Sequence, residues 1–147
     1  MKILISSTPN ILLVDDNRDG LLVRRCLLEE IGCCVQTAPN GEEGLKLFQA
    51  STFDVVVTDY RMPRMNGAEL IQRIRKLNPN ARIILLSGFV EPLGLTEENT
   101  GADVVIAKSA NEPAHLTRGV KRLLSRATRK PPASQKSSLA RAKVSSA

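Results

Sequence analysis

Ile11-Leu12-Leu13-Val14-Asp15-Asp16 runs four apolar residues straight into two carboxylates. An unbroken apolar run suits a strand buried on both faces, as in the middle of a parallel sheet; a strand with one wet face alternates instead. Val55-Val56-Val57, Ile83-Ile84-Leu85-Leu86 and Val104-Val105-Ile106 are built the same way, and Cys34-Val35 marks a fifth, shorter run. Helical spacing fills the gaps between them. Leu21, Leu22, Cys26 and Leu28 predict a broad apolar helix that Gly32 ends, and Leu45 and Phe48 mark a second after Asn40-Gly41. In the third, Leu70, Ile71, Ile74 and Leu77 share a face opposite Arg73, Arg75 and Lys76, and Asn78-Pro79 stops it. The segment 91–101 holds Pro92, Gly94 and Gly101 with little periodicity, so a fourth helix there is expected to be short or frayed. Leu116, Val120, Leu123 and Leu124 define the last, with Asn111-Glu112-Pro113 as cap, early acid and early Pro. Strand and helix alternate five times, which implies an α/β sandwich: a doubly wound parallel sheet with right-handed crossovers and helices on both faces.

Charge divides the chain in two. Its 147 residues carry 21 Lys and Arg against 15 Asp and Glu, a formal +6. Residues 1–124 hold fifteen of each sign, so the whole excess lies in Ser125–Ala147, which has six basic residues and no acid. That stretch also holds six Ser and Pro131-Pro132, and cannot bury enough apolar surface to offset its ordering entropy. The expected organisation is an N-terminal extension at 1–9, one domain at 10–126 and a disordered basic tail at 127–147. The tail is expected to make at most weak, salt-sensitive contact with nucleic acid or an anionic surface. No apolar run approaches the roughly 20 residues of a membrane span, and no transmembrane segment is expected. Three cysteines without Cys-x-x-Cys spacing, and a single His, argue against zinc; the cysteines are expected to be small buried hydrophobes of a cytoplasmic protein. With 3% aromatic residues there is no stacking platform for single-stranded nucleic acid.

Chemistry collects where the strands end. In a parallel α/β sheet, side chains at the carboxyl ends of strands converge on one edge. Val14 is followed by Asp15-Asp16, Thr58 by Asp59, Leu86 by Ser87 and Ala107 by Lys108. Three clustered carboxylates repel one another unless a hard cation, a proton or a lysine joins them, and oxygen ligands favour magnesium or manganese over zinc. A carboxylate beside such a metal is a nucleophile toward phosphorus, with Ser87 and Lys108 available to the phosphoryl oxygens.

On these residues the chain resembles the receiver domains of two-component response regulators. The likeness runs from Asn10 to about Arg126 and rests on Asp15-Asp16, on Asp59 with Met62-Pro63 and Asn66-Gly67 downstream, on Ser87-Gly88 and on Lys108. It implies a flavodoxin-like sheet of strand order 2-1-3-4-5. It also implies that Asp59 is the phosphoacceptor, taking a phosphoryl group from a histidine kinase or phosphotransfer protein. Asp15 and Asp16 become the acidic pair, Asp16 touching Mg2+ directly, and Asp59 and the backbone carbonyl of Arg61 complete the metal ligands. Ser87 takes the switch position and Lys108 the phosphate-pairing position. The expected protein is not an enzyme beyond self-phosphorylation and slow self-dephosphorylation. With no output domain following, it is a stand-alone regulator docking to an unknown downstream protein, or part of a longer one.

Three departures from the family pattern bear on output: Val105 stands where an aromatic is usual, Ser109 follows the lysine in place of Pro, and the fourth helix is poorly specified. Phosphorylation is therefore expected to move the segment after the fourth strand without an aromatic rotamer switch. Arg61 and Phe89 border the path of attacking water and are expected to tune the lifetime of the acyl phosphate. His115 is expected to be a solvated residue. A haloacid-dehalogenase-type phosphatase would place its two acids as Asp-x-Asp, which the adjacent Asp15-Asp16 does not match. Gly41-Glu42-Glu43-Gly44 is too short for a dinucleotide-binding loop.

Overall fold

The computed structural model describes residues 8–88 and 94–128. Five parallel strands, β1 (Asn10–Val14), β2 (Cys34–Ala38), β3 (Val55–Asp59), β4 (Ile83–Ser87) and β5 (Val104–Ala107), lie in the order β2-β1-β3-β4-β5. Among the described residues the helices are α1 (Arg18–Glu30), α2 (Gly41–Ala50), α3 (Gly67–Leu77), α4 (Glu97–Thr100) and α5 (Glu112–Thr128). Each strand expected from an apolar run is present, and the fourth helix is a single four-residue turn. Of the expected extension at 1–9 and tail at 127–147, residues 1–7 and 129–147 lie outside the described residues, while Ala127 and Thr128, expected in the tail, continue α5 as its last residues.

Strand β1 shows why its run is continuous. Ile11 and Leu13 enter one core with Leu28 of α1 and Leu116, Val120 and Leu123 of α5. Leu12 and Val14 enter the other with Leu70, Ile71 and Ile74 of α3, and Leu45 and Phe48 of α2 pack against it. With helices on both sides, neither face of a central strand meets water, so neither parity of residue can be polar.

The α1 face differs from its sequence reading. Leu22 is 61% exposed and Cys26 is also exposed, because the inward stripe runs through Leu21, Arg24, Leu27 and Leu28. A 3.6-residue period allows only one stripe, and Leu22 sits beside it. Leu77 is likewise half-exposed at the last turn of α3. Arg75 is no free surface charge. Its guanidinium donates to the carbonyls of Gly101, Pro79 and Ala81 and pairs with Asp103 at 3.1 Å, tying the end of α3 to the entries of β4 and β5. Of the three free cysteines only Cys33 is buried, and burial pushes its thiol up to about 11; Cys26 and Cys34 are exposed, contrary to expectation.

Candidate functional site

The ladder continues past the strand ends and sets the site's backbone. Asp15 N–H donates to Ala38 O, Tyr60 N–H to Leu86 O and Lys108 N–H to Ser87 O, at 3.1, 2.8 and 2.9 Å. Asp59 closes β3 opposite Leu86, and Ser87 closes β4 opposite Ala107. Carboxylate oxygens of Asp15, Asp16 and Asp59 lie within 4.8 Å of one another, with Asp15 and Asp59 buried and Asp16 exposed. Lys108 Nζ sits 2.6 Å from Asp59 Oδ1. All five residues named from the strand ends therefore reach one edge of the sheet, where Ser87 is also buried. Arg61 is exposed two residues beyond Asp59, and His115 is exposed as expected. Phe89 lies outside the described residues.

Local sequence explains the placement. Asn17 caps α1, accepting the Gly20 N–H at 2.9 Å, while its own N–H donates to Asp15 Oδ1 at 3.0 Å. The β3–α3 loop is fixed at three points. Gly67 N–H donates to Tyr60 O, Asn66 and Glu69 form a capping box, and Arg64, at φ 71°, pairs with Glu42 at 3.0 Å. A buried Met65 packs under the start of α2.

A buried guanidinium below the acids was not anticipated from sequence. Arg24 Nη1 donates to Asp15 Oδ2 at 2.7 Å, while Nε and Nη2 grip both oxygens of Glu112 at 2.8 and 3.0 Å. Glu112 is thus more than a dipole-matched acid at a helix start. It pins the first turn of α5 to α1. The only sequence sign was a position: residue 24 falls on the stripe through Leu21 and Leu28.

Burial pushes the Asp59 carboxyl up, the Lys108 hydrogen bond pulls it down and neighbouring Asp15 raises it again; the net is a carboxyl above its ordinary value. A raised native value means that the folded state holds the proton more tightly than the unfolded chain does. Ionisation then costs stability: nothing below the unfolded value, more as the pH rises toward the native value, and the full amount above it. Metal-free Asp59→Asn should therefore melt a few degrees above wild type at pH 7, with the gap closing as the pH falls through the carboxylate range. Melts in chelator at pH 7 and pH 4 check this; a gap that widens in acid contradicts it.

The donor set fits a hard divalent cation, being all oxygen, threefold acidic and open to solvent on the Asp16 side. A family model described as response regulator receiver domain matches residues 11–121. A response regulator receiver protein of Anaeromyxobacter sp. is 40% identical over 79 residues, 54% of this chain and 33% of its own length. The autoinducer 1 sensor kinase/phosphatase LuxN of Vibrio campbellii is 35% identical over 83 residues, 56% of this chain and 10% of its own. The chain thus spans a third or less of these curated relatives. Among solved structures, the response regulator TrrA of Thermotoga maritima, in complex with Mg(2+)-BeF, superposes with a TM-score of 0.71 at 36% identity, covering 79% of this chain and 99% of that one. A CheY-like receiver domain protein of Methanospirillum hungatei gives 0.75 at 29%, covering 84% and 100%. By its sheet order, its strand-end acids and lysine, and a family match over most of its length, this chain belongs to the response regulator receiver domain family of two-component signal transduction.

Proposed function

We propose that Asp59 accepts a phosphoryl group from a phosphohistidine of a histidine kinase or phosphotransfer protein. The supporting observation is the contact of Lys108 Nζ with Asp59 Oδ1 at 2.6 Å beside the Asp15–Asp16 pair. An Asp59 oxygen attacks phosphorus, an acyl phosphate bond forms, the bond from phosphorus to imidazole nitrogen breaks, and the imidazole leaves with the electron pair. Asp15, Asp16, Asp59 and the Arg61 carbonyl would hold Mg2+, or Mn2+ in its place. When bound, that cation neutralises the charge gathering on the phosphoryl oxygens. Lys108 and the Ser87 hydroxyl then meet those oxygens. The chain acts as a phosphorylated switch and not as a turnover enzyme, in the cytoplasm, and its signal passes to a docked protein.

Output does not depend on an aromatic at position 105. Val105 is half-buried, and its N–H donates to Glu97 Oε2 at 3.1 Å, which ties α4 to β5 directly. Movement of Ser87 and Lys108 toward the phosphoryl group shifts the segment between β4 and α4 and the end of β5, and the tie from Glu97 to Val105 couples the two.

Incubation of the full chain with a small phosphodonor and Mg2+, followed by intact mass, tests the assignment. Wild type should gain one phosphoryl group and Asp59→Asn none. Gain in both would move the acceptor elsewhere, and gain in neither would end this reading.

A further inference from the structure

We infer that Arg24 is a positioning residue of the phosphoacceptor site: it fixes Asp15 from below and, by its charge, loosens the site's hold on a divalent cation. This rests on the reading of Asp59 proposed above.

Both oxygens of Asp15 are engaged, Oδ2 by Arg24 at 2.7 Å and Oδ1 by the Asn17 N–H at 3.0 Å. The carboxylate therefore has one orientation before any cation arrives. The pair is withdrawn from water, with side-chain exposures of 11% for Arg24 and 2% for Asp15. At such burial the guanidinium charge is poorly screened, and it acts on Asp15 at 2.7 Å and on the neighbouring Asp59. A cation held among Asp15, Asp16 and Asp59 would face this fixed positive charge in the same cluster, in addition to Lys108.

Two further features mark the contact as built. A Cβ on Gly20 would come to 2.7 Å from Arg24 Nη1 and 3.1 Å from Asp15 Oδ2, so a side chain there would crowd the ion pair. The bidentate grip of Glu112 aims the guanidinium plane, leaving Nη1 for Asp15. The loop from Lys108 to Glu112 is consequently tied to the acids at both ends, through Lys108 to Asp59 and through Glu112 and Arg24 to Asp15.

Mg2+ binding to the full chain, without phosphodonor, tests the role. Calorimetry gives the affinity, and emission of Tyr60, the chain's one tyrosine and the neighbour of Asp59, offers a second readout. Arg24→Met should bind Mg2+ roughly tenfold more tightly, since a like charge has left the cluster. Glu112→Gln should bind it a few-fold more weakly, because the guanidinium is left unopposed. A purely structural clamp predicts a different pattern: both variants break the same α1–α5 link and would shift affinity in the same direction. Arg24→Met leaves Glu112 buried without its partner. If it does not fold, Arg24→Met/Glu112→Gln removes both charges and should still bind at least about threefold more tightly than wild type, because the guanidinium contacts Asp15 of the cluster directly and Glu112 meets the cluster only through it. Equal or weaker binding by the folded Arg24 variant overturns the inference. Wild type that takes up a phosphoryl group while Arg24→Met binds Mg2+ unchanged sinks the Arg24 role alone. Wild type that neither binds Mg2+ nor gains a phosphoryl group sinks the reading of Asp59, and this inference with it.

Discussion

Gly67→Ala is expected to destabilise the domain by about 3 kcal/mol or more and to slow phosphorylation of Asp59 under conditions where the variant is folded. The reason is a backbone approach that leaves no room for a methyl group. A Cβ at position 67 would lie 2.3 Å from the Asp59 carbonyl oxygen, 3.0 Å from Tyr60 Cα and 2.8 Å from Leu85 Cδ1. Two of these neighbours are main chain at the end of a fully buried strand and cannot rotate away. Relief requires α3 to move off the sheet. That would strain the Gly67 N–H bond to Tyr60 O, held at 2.8 Å, and the capping box that starts the helix. The displaced segment is also the loop that follows the acceptor, so stability and chemistry should fall together. Gly88→Ala is the matched control: among the described residues, its chain neighbours aside, nothing lies within 4 Å of its Cβ position, so its stability should stay within about 0.5 kcal/mol of wild type. Urea unfolding of the three proteins provides the comparison. A Gly67→Ala loss under 1 kcal/mol would mean that the first turn of α3 adjusts freely.

That close approach also shows which parts of the site sequence can disclose. Asp15, Asp59, Ser87 and Lys108 were legible because each follows an apolar run whose continuity marks a central strand, and a strand's carboxyl end faces the ligand edge. Each of those inferences uses a few adjacent residues. The order of the strands was not legible that way: five similar runs do not encode which lie side by side, and the order came from the family likeness. Arg24 and Glu112 were missed for a related reason. They are 88 positions apart, and each has an ordinary local explanation, a charge on a helix and an acid in a first turn. Their meaning arises only when α1 and α5 pack on the same face of the sheet. Leu22 and Cys26 were assigned to the core because a broad apolar cluster does not say which of two neighbouring stripes turns inward. The structure turns inward the stripe through Leu21, Leu27 and Leu28, and that stripe also carries Arg24 to Asp15.

Lys108→Met is expected to slow phosphoryl uptake by Asp59 on the order of 10²- to 10³-fold, the usual effect of removing one preorganised donor from developing negative charge. In the resting site Lys108 Nζ already holds Asp59 Oδ1 at 2.6 Å, and its backbone N–H is fixed by Ser87 O. Little reorganisation is then needed to bring the ammonium to the phosphoryl oxygens once the new bond forms. Methionine keeps the length of the stem and removes the charge. Lys108→Arg keeps the charge but replaces a compact ammonium with a wider planar fork, and should recover only part of the rate. Time courses of intact mass with a small phosphodonor at saturating Mg2+ read all three proteins. Uptake at the wild-type rate by Lys108→Met would make the lysine a mere counter-ion for resting Asp59. Saturating Mg2+ matters because Lys108→Met, like Arg24→Met, removes a cation from the acid cluster and should tighten metal binding. Slower transfer in a variant that binds its metal more tightly would separate two roles the cluster combines. Arg24 and Lys108 both limit how strongly a divalent cation is held, but the lysine alone sits on the carboxylate that attacks phosphorus.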